Sequence, residues 1–268
     1  MPRQDDSDCR HFPRPHLTRR LAGAVLFYTR IPLPARCQPS FDGIAAFAPM
    51  VGMVIGGLLV LVDSGLHRLG IPPLLQSGIV VALWVWLTGG LHLDGAMDTA
   101  DGLAVTDPTR RLEVMADSRT GAFGTLAAIA ILGLKTIALG ELTSLRALLL
   151  LVAPLWGRWG QVIAIVRYPY LKDQGKGALH KASLRLPQDW LWGFATALLL
   201  HGLYARLYPA MTVPALIMFP VGAVLSIITA AWFNRRLGGH TGDSYGAVVE
   251  WTEVLMMCIA VGLQNSPL

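Results

Sequence analysis

Charge is scarce in this sequence. Asp, Glu, Lys and Arg make up only 15% of its 268 residues, against roughly 25% in an ordinary soluble domain. That shortage argues against a globule whose whole surface faces water. Cysteine is scarce too. Cys9, Cys37 and Cys258 are odd in number and far apart, which excludes a disulfide framework and a cysteine-based zinc spacing. They read as plain thiols of a reducing compartment. The N-terminal stretch carries Asp5, Asp6 and Asp8 but no apolar run before a small-residue cleavage site, so no signal peptide is expected. No internal repeat or low-complexity tract is present. Gly175-Lys176-Gly177 has neither the spacing nor the strand–helix context of a P-loop.

What the sequence has is apolar length. Hydrophobic residues make up 53% of the chain, and its mean hydropathy is +0.50. Seven apolar segments run over about 44–62, 75–93, 121–139, 146–166, 190–206, 212–232 and 247–263, each near the ~20 residues that cross ~30 Å of hydrocarbon. In lipid such segments must be helices, because unpaired backbone groups there are too costly. The expected fold is therefore all-α: a polytopic membrane bundle of about seven transmembrane helices. Residues 17–268 form one catalytic domain behind a mobile polar tail, 1–16. The stretch 16–30 suits an interfacial helix.

The formal charge of +5 raises the question of nucleic acid. The placement of the charges answers it. With alternating spans, only Arg68, Arg146 and Arg206 fall on the side opposite the N-terminus, and Lys135 and Arg158 fall inside spans. Every other Lys and Arg lies on the N-terminal side, which the positive-inside rule makes cytoplasmic. No nucleic acid is needed to explain the basic balance. The three longest internal loops, about 94–120, 167–189 and 233–246, share that side, so the polar machinery is expected there.

The first of these loops opens with Asp94-Gly95-Ala96-Met97-Asp98-Thr99-Ala100-Asp101. If the second span continues as a helix, the three carboxylates share one face within about 60°. Like charges so close raise one another's pKa, and a hard cation removes that cost. Mg²⁺ prefers oxygen ligands and neutralises charge building up on phosphate. Carboxylates at a helix C-terminus also oppose the macrodipole, which strengthens the metal reading. Asp107-Pro108 reads as an N-cap with Pro at N1, starting a short helix over 109–116. After it come Asp117, a further candidate ligand, Ser118, and Arg119, a candidate phosphate clamp through its planar fork.

Gly238-Gly239-His240-Thr241-Gly242-Asp243 enters the last segment. Its glycines let backbone N–H groups approach an anion at a helix N-terminus, which makes Gly239, Thr241 and Gly242 candidate substrate contacts. Asp243, Glu250 and Glu253 recur at i, i+7 and i+10 on one face, and Asp243 or Glu250 is a candidate proton acceptor. Arg158 sits mid-span, so it is expected to face inward and pair with a carboxylate or a ligand. Lys135 lies nearer its span's end and is expected to snorkel. Lys176 lies in a basic loop suited to an anionic substrate. His92, His180 and His240 read more readily as structural than as catalytic.

These blocks resemble the cobalamin synthase family, the adenosylcobinamide-GDP ribazoletransferases. The likeness rests on Phe27-Tyr28-Thr29-Arg30-Ile31-Pro32-Leu33-Pro34, on Gly89 to Leu103, on Met115 to Gly124 and on Gly238 to Ala247, in that order. The resemblance implies transfer of the cobinamide phosphate of adenosylcobinamide-GDP to the ribose of α-ribazole or its 5′-phosphate, with release of GMP. It implies Mg²⁺ as cofactor and the bacterial cytoplasmic membrane as location. Ala96-Met97 stands where Leu-Ala is expected, at positions pointing away from the carboxylates. A CDP-alcohol phosphotransferase is the nearest alternative, but the usual Ala-Arg after the second motif position is missing. An aspartate-rich prenyltransferase would need a wider motif pair. A transporter would show repeated halves with broken helices. The oligomeric state is not legible. Alanine at Asp98 is expected to abolish turnover with membrane insertion intact. Full GMP release by that variant with Mg²⁺ present would end the metal reading.

Overall fold

The computed structural model describes residues 17–172, 181, 183, 184 and 188–265, less the side chain of Ala35. Lys176, His180, Cys9 and the tail 1–16 lie outside the described residues. Ten α-helices are found among those described: α1 Leu17–Tyr28, α2 Ala48–Arg68, α3 Pro73–Thr88, α4 Leu91–Ala104, α5 Arg111–Val114, α6 Ala122–Glu141, α7 Arg146–Arg167, α8 Gln188–Leu207, α9 Thr212–Leu237 and α10 Gly242–Gln264. There is no strand among the described residues, only one isolated bridge between Tyr170 and His240.

All seven apolar segments are helical, and the protein is a multi-pass membrane protein. They are not equivalent as spans. Five helical stretches are each long and apolar enough to cross by themselves: Ile44–Arg68, Ala122–Glu141, Arg146–Arg167, Pro209–Leu237 and Gly242–Gln264. α8 falls short on that combined measure. The second segment does not continue as one helix. It breaks at Gly89 and Gly90, with φ of 65° and 72°, and α4 leaves α3 at 90°. Two successive left-handed residues fall naturally to glycine, which has no Cβ to clash. α4 therefore turns across the end of α3 rather than extending it, and we do not count it among the spans.

Contacts at the helix ends fix the alternation. At one end, Arg146 of α7 donates from Nε to both oxygens of Asp63 in α2 at 3.0 Å, and Gln76 of α3 donates to Asp63 Oδ1 at 2.7 Å. Gln264 at the end of α10 accepts from Thr143 N at 2.9 Å. At the other end, Arg111 donates to Arg236 O at 2.8 Å, and His240 N donates to Pro169 O at 2.8 Å. The described parts of the three long polar loops thus gather at one end, as the charge pattern required.

α7 is the central helix. Its Trp156 and Arg158 are wholly buried, and Trp156 packs edge-on against Phe219 of α9 and Trp159. The structure corrects one expectation here. Lys135 does not snorkel. It is 2% exposed and its Nζ lies 2.6 Å from Glu250 and 2.5 Å from Glu253 of α10. Arg158 reaches Glu253 at 3.0 Å. Two cations and two carboxylates therefore meet in the apolar interior with no net charge. The attraction that holds Lys135 inward is larger than what a stem of four methylenes gains by reaching water, because pairing strengthens as the dielectric falls. Trp84 of α3 adds its ring face, 4.3 Å from Nζ.

Removing one member strands buried charge. Lys135→Met is expected to cost about 3–5 kcal/mol of stability, read by thermal or urea unfolding in detergent. Adding Glu250→Gln, which removes the carboxylate left without its ion-pair partner while Glu253 keeps Arg158, should recover part of that loss. A double variant less stable than the single one would overturn this account of the network.

Candidate active site

α4 places its aspartates as the helical spacing required, but it starts a new helix just before them. Because the chain bends at Gly89-Gly90, Asp94 stands in the first turn of α4. The helix dipole favours a carboxylate there. Asp94 therefore lies with the macrodipole and not against it, contrary to the expectation from the sequence.

A second helix brings the next acid. α4 and α10 meet at small residues. A Cβ on Gly95 would lie 2.5 Å from Asp243 O, and one on Gly246 would lie 2.7 Å from His92 O. Only glycine allows the backbones so close. This contact sets Asp243, in the first turn of α10, beside the aspartate face of α4. Asp243 accepts from Lys172 Nζ at 3.0 Å and from Thr241 Oγ1 at 3.2 Å.

Asp98 sits at the centre of this acidic group. Burial first, then the charges of Asp94, Asp243 and Asp101, push its carboxyl up to about 6, with Lys172 pulling the other way. The cluster thus carries more negative charge than its one nearby lysine balances. Lys172 was counted in the sequence only as one more basic loop residue. Nothing in the local motif marks it, because its partner lies 71 positions away.

Other expected site residues are engaged elsewhere. Asp101 accepts backbone N–H bonds from Gly121 and Gly124, both at 2.8 Å, and so caps the start of α6. Asp117 takes a two-pronged pair from Arg119, with Nη2 to Oδ2 at 2.6 Å. That guanidinium lowers the Asp117 carboxyl to about 2. Ser118 is exposed beside them. Arg158 is closed inside the bundle with Glu253, Pro154 O and, at 3.5 Å, His92 Nδ1. Glu250 is held by Lys135. Gly239 is buried under Leu171 and Pro169. Thr241 is the N-cap of α10 in a capping box with Ser244, and His240 packs beneath it against Ser244 Oγ at 3.0 Å. Gly242 alone of the loop trio is exposed.

No three acidic, histidine or cysteine side chains among the described residues converge closely enough to form a complete metal site. The expected three-aspartate ligand set is therefore not assembled, because Asp101 is turned to the N-terminus of α6. The remaining donors do suit Mg²⁺, which commonly takes only one or two carboxylates and completes its shell with water and substrate phosphate. Asp94 and Asp98 supply hard oxygens where negative charge is in excess.

Comparison with known proteins places the chain among relatives. The model of the cobalamin-5-phosphate synthase family matches residues 20–261. The chain belongs to that family. A Trichormus variabilis protein named adenosylcobinamide-GDP ribazoletransferase is 53% identical over 243 residues, covering 91% of this chain and 96% of its own length. Proteins of the same name from Synechocystis sp. (48%, covering 88% of this chain and 92% of its own length) and Prochlorococcus marinus (39%, covering 91% and 96%) are also similar. No solved structure matches. The family match spans both α4 and the α9–α10 loop, so the two halves of the acidic group lie within it.

The Asp98 carboxyl gives a pH test. A carboxyl raised from 3.8 to about 6 keeps a proton in the folded chain that the unfolded chain has released between those values. Its contribution to stability therefore declines as pH rises through that window and stays low above it. With a chelator present, Asp98→Asn is expected to match wild type near pH 4 and to be the more thermostable above pH 6. Parallel profiles for the two proteins would show that Asp98 feels no such field.

Proposed function

We propose that this protein joins adenosylcobinamide-GDP to α-ribazole, or to its 5′-phosphate, releasing GMP. The observation that carries this reading is the acidic group of Asp94, Asp98 and Asp243, brought together by the α4–α10 glycine contact in a chain of this family. Its relatives bear the name of that reaction.

In the reaction the ribose hydroxyl oxygen attacks the cobinamide-side phosphorus of the pyrophosphate. The new P–O bond forms as the P–O bond to GMP breaks, and GMP leaves with the bridging oxygen. The hydroxyl proton passes to a base or to water. Such transfer depends mostly on positioning and charge stabilisation. Asp94 and Asp98 would hold Mg²⁺, which when bound supplies neutralisation of phosphate charge. Asp243, next to them and held by Lys172, orients the attacking hydroxyl. Glu250 is less suited to that task, since it is committed to Lys135. Lys172 and Arg119, each paired with an aspartate, are the basic groups we assign to phosphate oxygens. Arg158 acts from the interior by fixing α10 through Glu253. Ser118, Gly242 and Lys176 remain candidate substrate contacts at the same end. Asp101 positions α6, and Asp117 positions Arg119.

We place this end of the molecule on the cytoplasmic face of the bacterial inner membrane. The excess of Lys and Arg there supports that orientation.

The roles separate by experiment. GMP release from adenosylcobinamide-GDP, α-ribazole and Mg²⁺ is expected to fall roughly 100-fold or more in Asp94→Asn and in Asp243→Asn, with unfolding temperature little changed. Asp101→Ala should instead lower stability by about 1–2 kcal/mol through the lost cap. No GMP release by the wild-type protein in any lipid would end the proposal. Equal loss of stability in all three variants would end the division of roles.

A further inference from the structure

Behind α4 lies a crevice that the proposed chemistry does not use. It is about 410 Å³ and apolar, lined by Ala96, Ala100 and Leu103 of α4, Trp232 of α9, and Trp251 and Leu255 of α10. On the helix, these α4 positions lie roughly opposite the aspartates. The crevice is therefore not the acidic site approached from another direction. A second cavity of about 560 Å³ shares Ile228 and Trp232 with it and reaches Arg235 and Arg236. The apolar groove thus ends in a basic mouth.

Arg111 stands next to that mouth, since its Nη1 donates to Arg236 O at 2.8 Å. The Arg236 guanidinium lies over Trp232, 5.3 Å from a ring centroid. None of Arg111, Arg235 and Arg236 pairs with a carboxylate among the described residues. Two unneutralised cations, Arg235 and Arg236, therefore line the end of an apolar channel at the polar end of α9, with Arg111 beside them. Tryptophan and arginine at the end of an apolar span mark the depth of lipid headgroups.

We propose that this groove binds one anionic phospholipid. An acyl chain lies between α4, α9 and α10, and the phosphate meets Arg111, Arg235 and Arg236. Water in so apolar a crevice would lack partners, whereas an acyl chain fills it at no polar cost. The charge at the mouth selects an anionic headgroup over a zwitterionic one. The bound chain supports α4 from the side opposite Asp94 and Asp98, so its presence steadies the face that carries the acids.

The test reads lipid, not turnover, and so is independent of the reaction proposed above. Full-length protein is extracted in mild detergent from vesicles of equal phosphatidylglycerol and phosphatidylcholine, and retained lipid is identified by native mass spectrometry. One phosphatidylglycerol per chain is expected. Replacing two basic side chains, Arg235→Gln with Arg236→Gln, should cut the preference for it roughly 30-fold. Ala100→Leu, which narrows the groove and leaves the arginines in place, should lower retention of lipid altogether. Equal retention of the two lipids by wild type would overturn the proposal. So would undiminished phosphatidylglycerol in both variants. Stoichiometric displacement of that lipid by adenosylcobinamide-GDP would overturn it too, and would make the groove a substrate seat.

Discussion

Charge pairing in a medium that cannot solvate charge is the constraint on which this structure rests. Lys135, Arg158, Glu250 and Glu253 come from three helices and meet where water does not reach. Two positive and two negative groups cancel, so the bundle interior bears no net charge. The geometry this demands is strict, because a misplaced partner leaves an ion unpaired at a cost of several kcal/mol. α6, α7 and α10 are thereby tied in one register. That register also fixes α4, since His92 reaches Arg158 and Gly95 lies against the start of α10.

The polar end follows the opposite rule. Around Asp98 the negative charges outnumber the positive ones, and the imbalance is stable only because this end meets solvent. Carboxylates in excess beside a lysine are what the proposed function uses to bring a cation and a phosphate together. Balanced ions inside give rigidity, and the unbalanced ions at the rim are the ones to which we assign the chemistry. The glycine contact joins the two regions, since it sets the aspartate helix directly on the helix that carries both Asp243 and the buried glutamates.

Much of this was legible in the chain itself. Seven apolar blocks became helices, and the lopsided Lys and Arg distribution put the polar loops at one end. The i, i+4, i+7 spacing of Asp94, Asp98 and Asp101 gave one helical face. Asp107-Pro108 began a short helical stretch, with Asp107 accepting from Thr109 N at 2.9 Å. Arg158 found a carboxylate. Local spacing governs these features, so a linear reading suffices. The same reading missed the bend at Gly89-Gly90, because two glycines after an apolar run mark a weak point without giving its angle. It also sent Lys135 outward, since distance from a span's end says nothing about which acids a neighbouring helix presents.

The sequence alone determined the solvent, the class of fold and the family, because composition and ordered motifs carry those directly. Tertiary structure alone decided which acids share a site. Asp101 and Asp117 were claimed by Gly121, Gly124 and Arg119, while Asp243 was drawn in from the far end of the chain with Lys172. A carboxylate's role depends on which donors lie within 3 Å of it, and helices packing across the bundle set those neighbours.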